Sequence, residues 1–178
     1  MVTSETFSVE EWAQILSAPA SVGALVVTAD PSGPVGLIKE FRSIMDSMKA
    51  YVEQNAASSP LMAVIKEYIS NTPSEEEEAQ LKEWAQTQQD EMAAHKPQTP
   101  EELHDRLQSS VSESLEMLRS RRVSEADILS FKTMMYYVAE ATAEASKEGG
   151  FLGFGGVRIS DKETSVLAQI KSELGLGV

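Results

Sequence analysis

The chain has 178 residues, no cysteine, and 28 acidic against 15 basic side chains, a formal net charge of −13. This length suits one domain, residues 1–178, with a sizeable core. The lack of cysteine leaves no disulfide framework, thiolate metal site or cysteine nucleophile, and fits a reducing cytoplasm. The acid excess repels phosphate backbones, and the one short basic stretch is "RSRR" at 119–122, so neither nucleic acid nor anionic membrane is an expected partner.

The opening "MVTSETFSVEEW" has neither a basic n-region nor an apolar h-region. The longest apolar run, around "VGALVV", falls short of the roughly 20 residues that span a bilayer. A cytoplasmic, soluble protein without membrane insertion is the expectation. Ser8 with Glu11 forms a capping-box pattern opening a helix over 8–17. A second helix over 20–29 carries "SVGALVVTA", apolar nearly all round and expected innermost. "TADPSGPVG" then builds a tight turn through Asp30, Pro31, Ser32 and Gly33, where Asp30 is also a candidate buried acid facing a cleft.

Over 34–54, Leu37, Phe41, Ile44, Met48 and Tyr51 recur at three and four residues, and Ile38, Met45 and Val52 widen the stripe. Phe41 is expected in the core. Ser59 and Pro60 open a helix over 60–70 with Leu61, Val64, Ile65, Tyr68 and Ile69 on one face. Thr72, Pro73 and Glu75 open 73–94, where Glu75 to Glu78 read as a solvated first turn favoured by the helix dipole. Trp84 is conspicuous in that polar helix, as a lid on the core or as a partner contact. Thr99, Pro100 and Glu102 open 100–120. Apolar residues thin out over 70–122, which is expected to be peripheral and more mobile. His95 and His104 flank "KPQTP" with Glu101 and Asp105 nearby, but the spacing is wider than that of metal ligands on one helix, and no metal is expected.

Ser124 with Asp127 opens 124–147, striped by Phe131, Met134, Val138, Ala141 and Ala145, with Met135 and Thr142 broadening the face. Adjacent Tyr136 and Tyr137 cannot share a face. Ser160 with Glu163 opens 161–174. No stretch alternates with period two, so the predicted fold is all-α, about eight helices in a single domain.

Half of the ten glycines lie in "SKEGGFLGFGGVRISDKE". A dinucleotide fingerprint starting at Gly153 meets Arg158 where its last glycine belongs, and a P-loop fails because Val157 follows Gly156. Two readings remain. In the structural one Gly149 closes the preceding helix in left-handed conformation, and Phe151, Leu152, Phe154, Val157 and Ile159 anchor the loop inward. In the other, Gly153, Gly155 and Gly156 belong to a docking loop whose Arg158 pairs with a carboxylate or phosphate. No catalytic motif such as G-x-S-x-G is present, and no cofactor is implied.

"EATAEASKEGGFLGFGGVRISDKETSVLAQIKSELG" resembles the C-terminal signature of a family of helical bacterial proteins of about this length to which no activity is attached. "EEWAQILSAPASVGALVVTADPSGPVGLIKE" looks like the N-terminal block of the same family. The ending "RISDKETSVLAQIKSELGLG" is similar to the close of TerB-like domains, a resemblance that implies acidic-site metal binding or association with membrane stress complexes. The expected function is a non-catalytic interaction or scaffold protein, homo-oligomeric through an exposed face carrying Trp84. The alternative is a small-ligand or metal-binding module with a pocket near the glycine-rich loop or acids at Asp30, Glu40 and Glu148.

Overall fold

A computed structural model describes residues 2–30, 33–146 and 159–177. A 3-10 turn at Ser4–Thr6 precedes seven helices among these residues: α1 (Val9–Ala29), α2 (Gly33–Asn55), α3 (Pro60–Ser70), α4 (Glu75–Ala94), α5 (Pro100–Ser120), α6 (Glu125–Ser146) and α7 (Asp161–Glu173). No strand occurs among them. The expected helices 8–17 and 20–29 are one helix, which corrects the count of about eight. Proline removes one ladder N–H and its ring crowds the carbonyl four residues back. At Pro19 that loss is outweighed because Trp12, Ile15, Ala18, Val22, Leu25 and Val26 continue a single buried arc on both sides of it.

α1 is the hub, packed against α2, α4, α5, α6 and α7. Its 21 residues have a mean hydropathy of 1.4 over their most apolar window, long and apolar enough to cross a membrane by length and composition. The unbroken run read from sequence underestimates it. Half of that window is buried inside the protein, as in the core helix of a soluble protein. Among the described residues the buried apolar side chains from Phe7 to Leu174, apart from Val27, form one cluster.

α2 presents a different face from the expected one. Ile44, Met48 and Val52 are buried, but Phe41 is 54% and Ile38 72% exposed, and Leu37 and Met45 also face outward. In their place the helix turns in Glu40, Ser43 and Ser47. Ser47 Oγ donates to the Ser43 carbonyl (2.6 Å), and Ser43 Oγ reaches across to the Ala141 carbonyl of α6 (2.9 Å). Small hydroxyl residues that satisfy themselves on backbone carbonyls allow close helix contact, which a count of apolar positions misses. Ile44 sits over Gly23 of α1, where a Cβ would lie 2.5 Å from its Cδ1.

α6 buries Phe131, Met134, Met135, Val138 and Thr142 as expected, together with Ile128, Ala139 and Ala143, while the expected Ala141 and Ala145 are half-buried. Its start is tied to α3 by Asp127. One carboxylate oxygen accepts from Ser59 Oγ (2.6 Å) and the Leu61 N–H (3.2 Å), and the other from Ser124 Oγ (2.7 Å). Burial opposes the Asp127 charge more strongly than any single bond supports it. The hydroxyls of Ser59 and Ser124 with the Leu61 N–H together outweigh burial and hold the carboxyl below its usual range.

Capping boxes close on Ser8 with Glu11 and on Ser160 with Glu163, as the sequence suggests. α4 starts two residues later than expected, on Ser74 with Glu77, because Glu77 Oε2 takes both the N–H and the hydroxyl of Ser74 (2.7 and 2.8 Å). Thr72 and Pro73 are left in the preceding turn. α4 buries no residue, whereas α5 lies along α1 with Val111, Ser114, Leu115 and Leu118 buried. A left-handed glycine does end a helix, at Gly175 after α7 (φ 66°), where the Leu176 N–H reaches the Lys171 carbonyl. Gly149, Phe151, Leu152, Phe154 and Val157 lie outside the described residues.

Candidate functional site

A half-open cleft of about 770 Å³ lies between the 3-10 turn, the start of α1, the end of α3 and the start of α4. The capping box at Ser8 aims the first turn of α1 so that Trp12 drops into the core. Trp12 is 1% exposed, and its indole N–H donates to the Ser4 carbonyl (2.8 Å), which draws the 3-10 turn over the helix start. Phe7 meets its ring edge-on at 4.9 Å, and Tyr68 of α3 lies tilted against it at 5.3 Å. These three rings, with Leu16, Ile69 and Leu81, make an apolar floor continuous with the core.

The rim is acidic: Glu5 comes from the turn, Glu10 from α1 and Glu77 from α4, and no Lys, Arg or His lines the cleft. The five ion pairs among the described residues leave these three carboxylates out, although their near neighbours Glu11 and Glu78 are paired with Arg121 and Lys82, each at 2.7 Å. The Ser8 hydroxyl lowers the Glu10 pKa, and the Ser74 N–H, followed by its hydroxyl, lowers that of Glu77, so both rim acids are held as anions. Burial pushes the Tyr68 hydroxyl up, and Glu77 and then Glu10 add to the effect, which places both charges within electrostatic reach of that phenol. Ser8 Oγ donates to Glu10 (2.7 Å) and accepts from the Glu11 N–H (3.2 Å), so its proton and a lone pair are both committed to the helix start. The arrangement sets an anionic rim beside an apolar lining.

A second concavity, of about 340 Å³, lies on the other flank of α4, against α1 and α5. Trp84 is half-buried and lines it with Met92, Leu103 and Leu107, so the indole turns toward the body of the protein instead of standing on an exposed face. A hydroxyl seam runs beneath it: Ser21 Oγ donates to Ser110 Oγ (3.3 Å), and Ser114 Oγ to the Gln14 carbonyl (3.1 Å).

The other sequence candidates are scattered. Asp30 is no buried acid: it caps the C-terminus of α1, its side chain is 42% exposed, and it lies 3.6 Å from Lys162 Nζ. The helix end there is carried by apolar Val26 and Val27, so the acid is left at the water-facing corner. Glu40 is buried at 1% exposure on α2, while Glu148 lies outside the described residues. Gly153, Gly155, Gly156 and Arg158 also lie outside them. His95 ends α4, its carbonyl accepting from Arg106, and His104 faces Gln169 (3.0 Å) and Glu173 (3.7 Å) of α7. Among the described residues no three His, Asp or Glu side chains converge on a metal position.

Sequence reasoning missed Glu5, Glu10 and Tyr68 as a set. Tyr68 reads as one more stripe residue, and Glu10 as an ordinary first-turn acid. The available signal was an acidic turn, "SVEEW", with no base within a helical turn of it. Comparison with family models, with curated proteins and with solved structures gives no match to this chain.

Proposed function

We propose that this protein works by holding a partner: it is a non-catalytic interaction module that seats a segment of another protein in the cleft between α1, α3 and α4. One observation carries this reading. The half-buried Leu16, Tyr68 and Ile69 pack against the protein's own core and yet line an open cleft beside α4, a helix that buries nothing of its own. Apolar surface of this kind is stabilised when a partner removes it from water. The cytoplasm is the compartment that suits the reading, and the packing of α1 against five other helices supports an aqueous setting.

The test is selection of a random peptide library on the immobilised protein, repeated on Leu81→Arg, which charges the cleft, and on Leu129→Arg, which charges an exposed site on α6. Circular dichroism establishes that each variant is folded. The expected result is a set of peptides that bind the parent and Leu129→Arg alike and lose tenfold or more, about 1.4 kcal/mol, on Leu81→Arg. Peptides indifferent to Leu81→Arg, or no enrichment at all, would overturn the reading.

A further inference from the structure

The chemistry of the rim narrows the occupant. We infer that the cleft receives a basic segment of a partner protein, with a Lys or Arg head among Glu10, Glu77 and the Tyr68 ring, and a neighbouring aliphatic or aromatic side chain on Leu16, Ile69 and Leu81. The inference rests on the cleft being a binding site, and it adds the class of ligand.

Three observations carry it. First, charge compensation stops at the cleft: Glu11 and Glu78 have basic partners at 2.7 Å, while Glu5, Glu10 and Glu77 have none among the described residues. A bound cation supplies the basic partner that these three lack. Second, the half-buried Tyr68 ring lines the cleft, and a cation beside a Tyr face gains from the ring quadrupole while its methylene stem covers apolar surface. A wholly apolar ligand would leave the acids without a partner, and an anion would meet three like charges and no cation. Third, the carboxylates come from three separate elements around one opening. Cations spaced along an extended chain match that layout, and Asn71, Thr72 and Gln80 along the same wall offer amide and hydroxyl groups for its backbone. The net charge of −13 steers basic segments toward the protein at long range.

The experiment is isothermal titration at low and at physiological salt with three probes: the acetylated peptide amide Lys-Leu-Arg-Phe-Lys-Gly, its analogue with glutamine at each basic position, and free spermidine. The proteins are the parent, Glu10→Gln/Glu77→Gln and Glu116→Gln/Glu125→Gln. A glutamine amide oxygen can still accept from the Ser8 hydroxyl at position 10 and from Ser74 in the capping box at position 77, so the first pair changes charge without dismantling the helix starts. The second pair makes the same change of net charge on exposed positions of α5 and α6.

The basic peptide is expected to bind saturably, to weaken with salt, and to lose about tenfold in Glu10→Gln/Glu77→Gln and less than about twofold in the control pair. Equal binding of the neutral analogue, abolished by Leu81→Arg, would overturn the basic-segment inference and leave the cleft as a binding site. Spermidine binding as tightly as the peptide would replace the partner segment by a free polyamine. Equal losses in the two double variants would reduce the effect to net charge and overturn the assignment. No saturable binding of any probe would overturn it as well.

Discussion

α6 and α4 are nearly the same length, 22 and 20 residues, and are maintained by opposite means. α6 has eight of its side chains from Ile128 to Ala143 buried against α1, α2 and α3. α4 has none, and is made by local interactions: the Ser74–Glu77 capping box, four glutamates against the positive end of its dipole, a Glu78–Lys82 pair at 2.7 Å and a Gln86–Asp90 bond at 2.8 Å. An isolated helix of such length is marginal in water. The contrast separates two properties that usually travel together, being a helix and being part of a core. A helix held by its own caps can rest on α1 through half-buried Leu81, Trp84 and Gln88 and leave concave surface on both flanks.

The comparison breaks most visibly in the centre of α6. Phe131→Ala is expected to cost about 3–5 kcal/mol in urea unfolding, whereas Trp84→Ala should cost about 1 kcal/mol or less and register mainly as faster amide exchange within α4. Equal losses at the two sites would show that α4 belongs to the same cooperative unit. The start of α6 comes next. Asp127→Asn should cost about 1–3 kcal/mol near neutral pH, because an amide cannot accept from Ser59, Leu61 and Ser124 together. The native Asp127 pKa lies below its unfolded value, so this contribution is fully present above the unfolded pKa and is lost as pH falls through the native one. Urea midpoints of the two proteins should therefore converge in acid, and a gap that persists at the lowest pH would contradict the carboxylate role.

Smaller effects belong to α4. Ser74→Ala should remove about 1 kcal/mol, confined to the first turns of α4 and read by hydrogen exchange, with the global unfolding midpoint little changed. A fall of the whole transition would mean that α4 is coupled to the core more tightly than its exposure indicates. Glu78→Gln, which breaks a fully solvated pair, should leave the midpoint unmoved and at most quicken exchange near Lys82.

Much of the fold is legible in the residues. Ser8, Ser59, Thr99 and Ser160 mark helix starts because a cap is a local event between neighbours three residues apart. Phe131, Met134 and Val138 mark the inward face of α6 because its apolar stripe has no competitor. α2 offers two overlapping arcs, and the choice between them is made by distant Gly23 and Ala141, which no window on α2 contains. The α1 boundary fails for a similar reason, since continuity through Pro19 depends on what covers the flanking residues. The cleft is the least legible part. Phe7, Glu10, Tyr68 and Glu77 are dispersed over 70 positions of chain, and only the way the 3-10 turn is pinned by the Trp12 indole brings them around one opening.

The hub position of α1 has a consequence for how the chain is made. Its 21 residues leave the ribosome well before α5 and α6, which supply much of its cover. At roughly 5–20 residues per second, the 117 residues between Ala29 and Ser146 take about 6–25 s to synthesise. Over that interval the nascent polypeptide carries an apolar helix of bilayer-spanning length whose cover is incomplete, α2 and α4 emerging first and α5 and α6 later. Helix formation takes microseconds, so the delay is set by translation and not by conformational search. Synonymous codon changes that slow elongation between α2 and α6 are therefore expected to lower the yield of folded product without altering one residue of it.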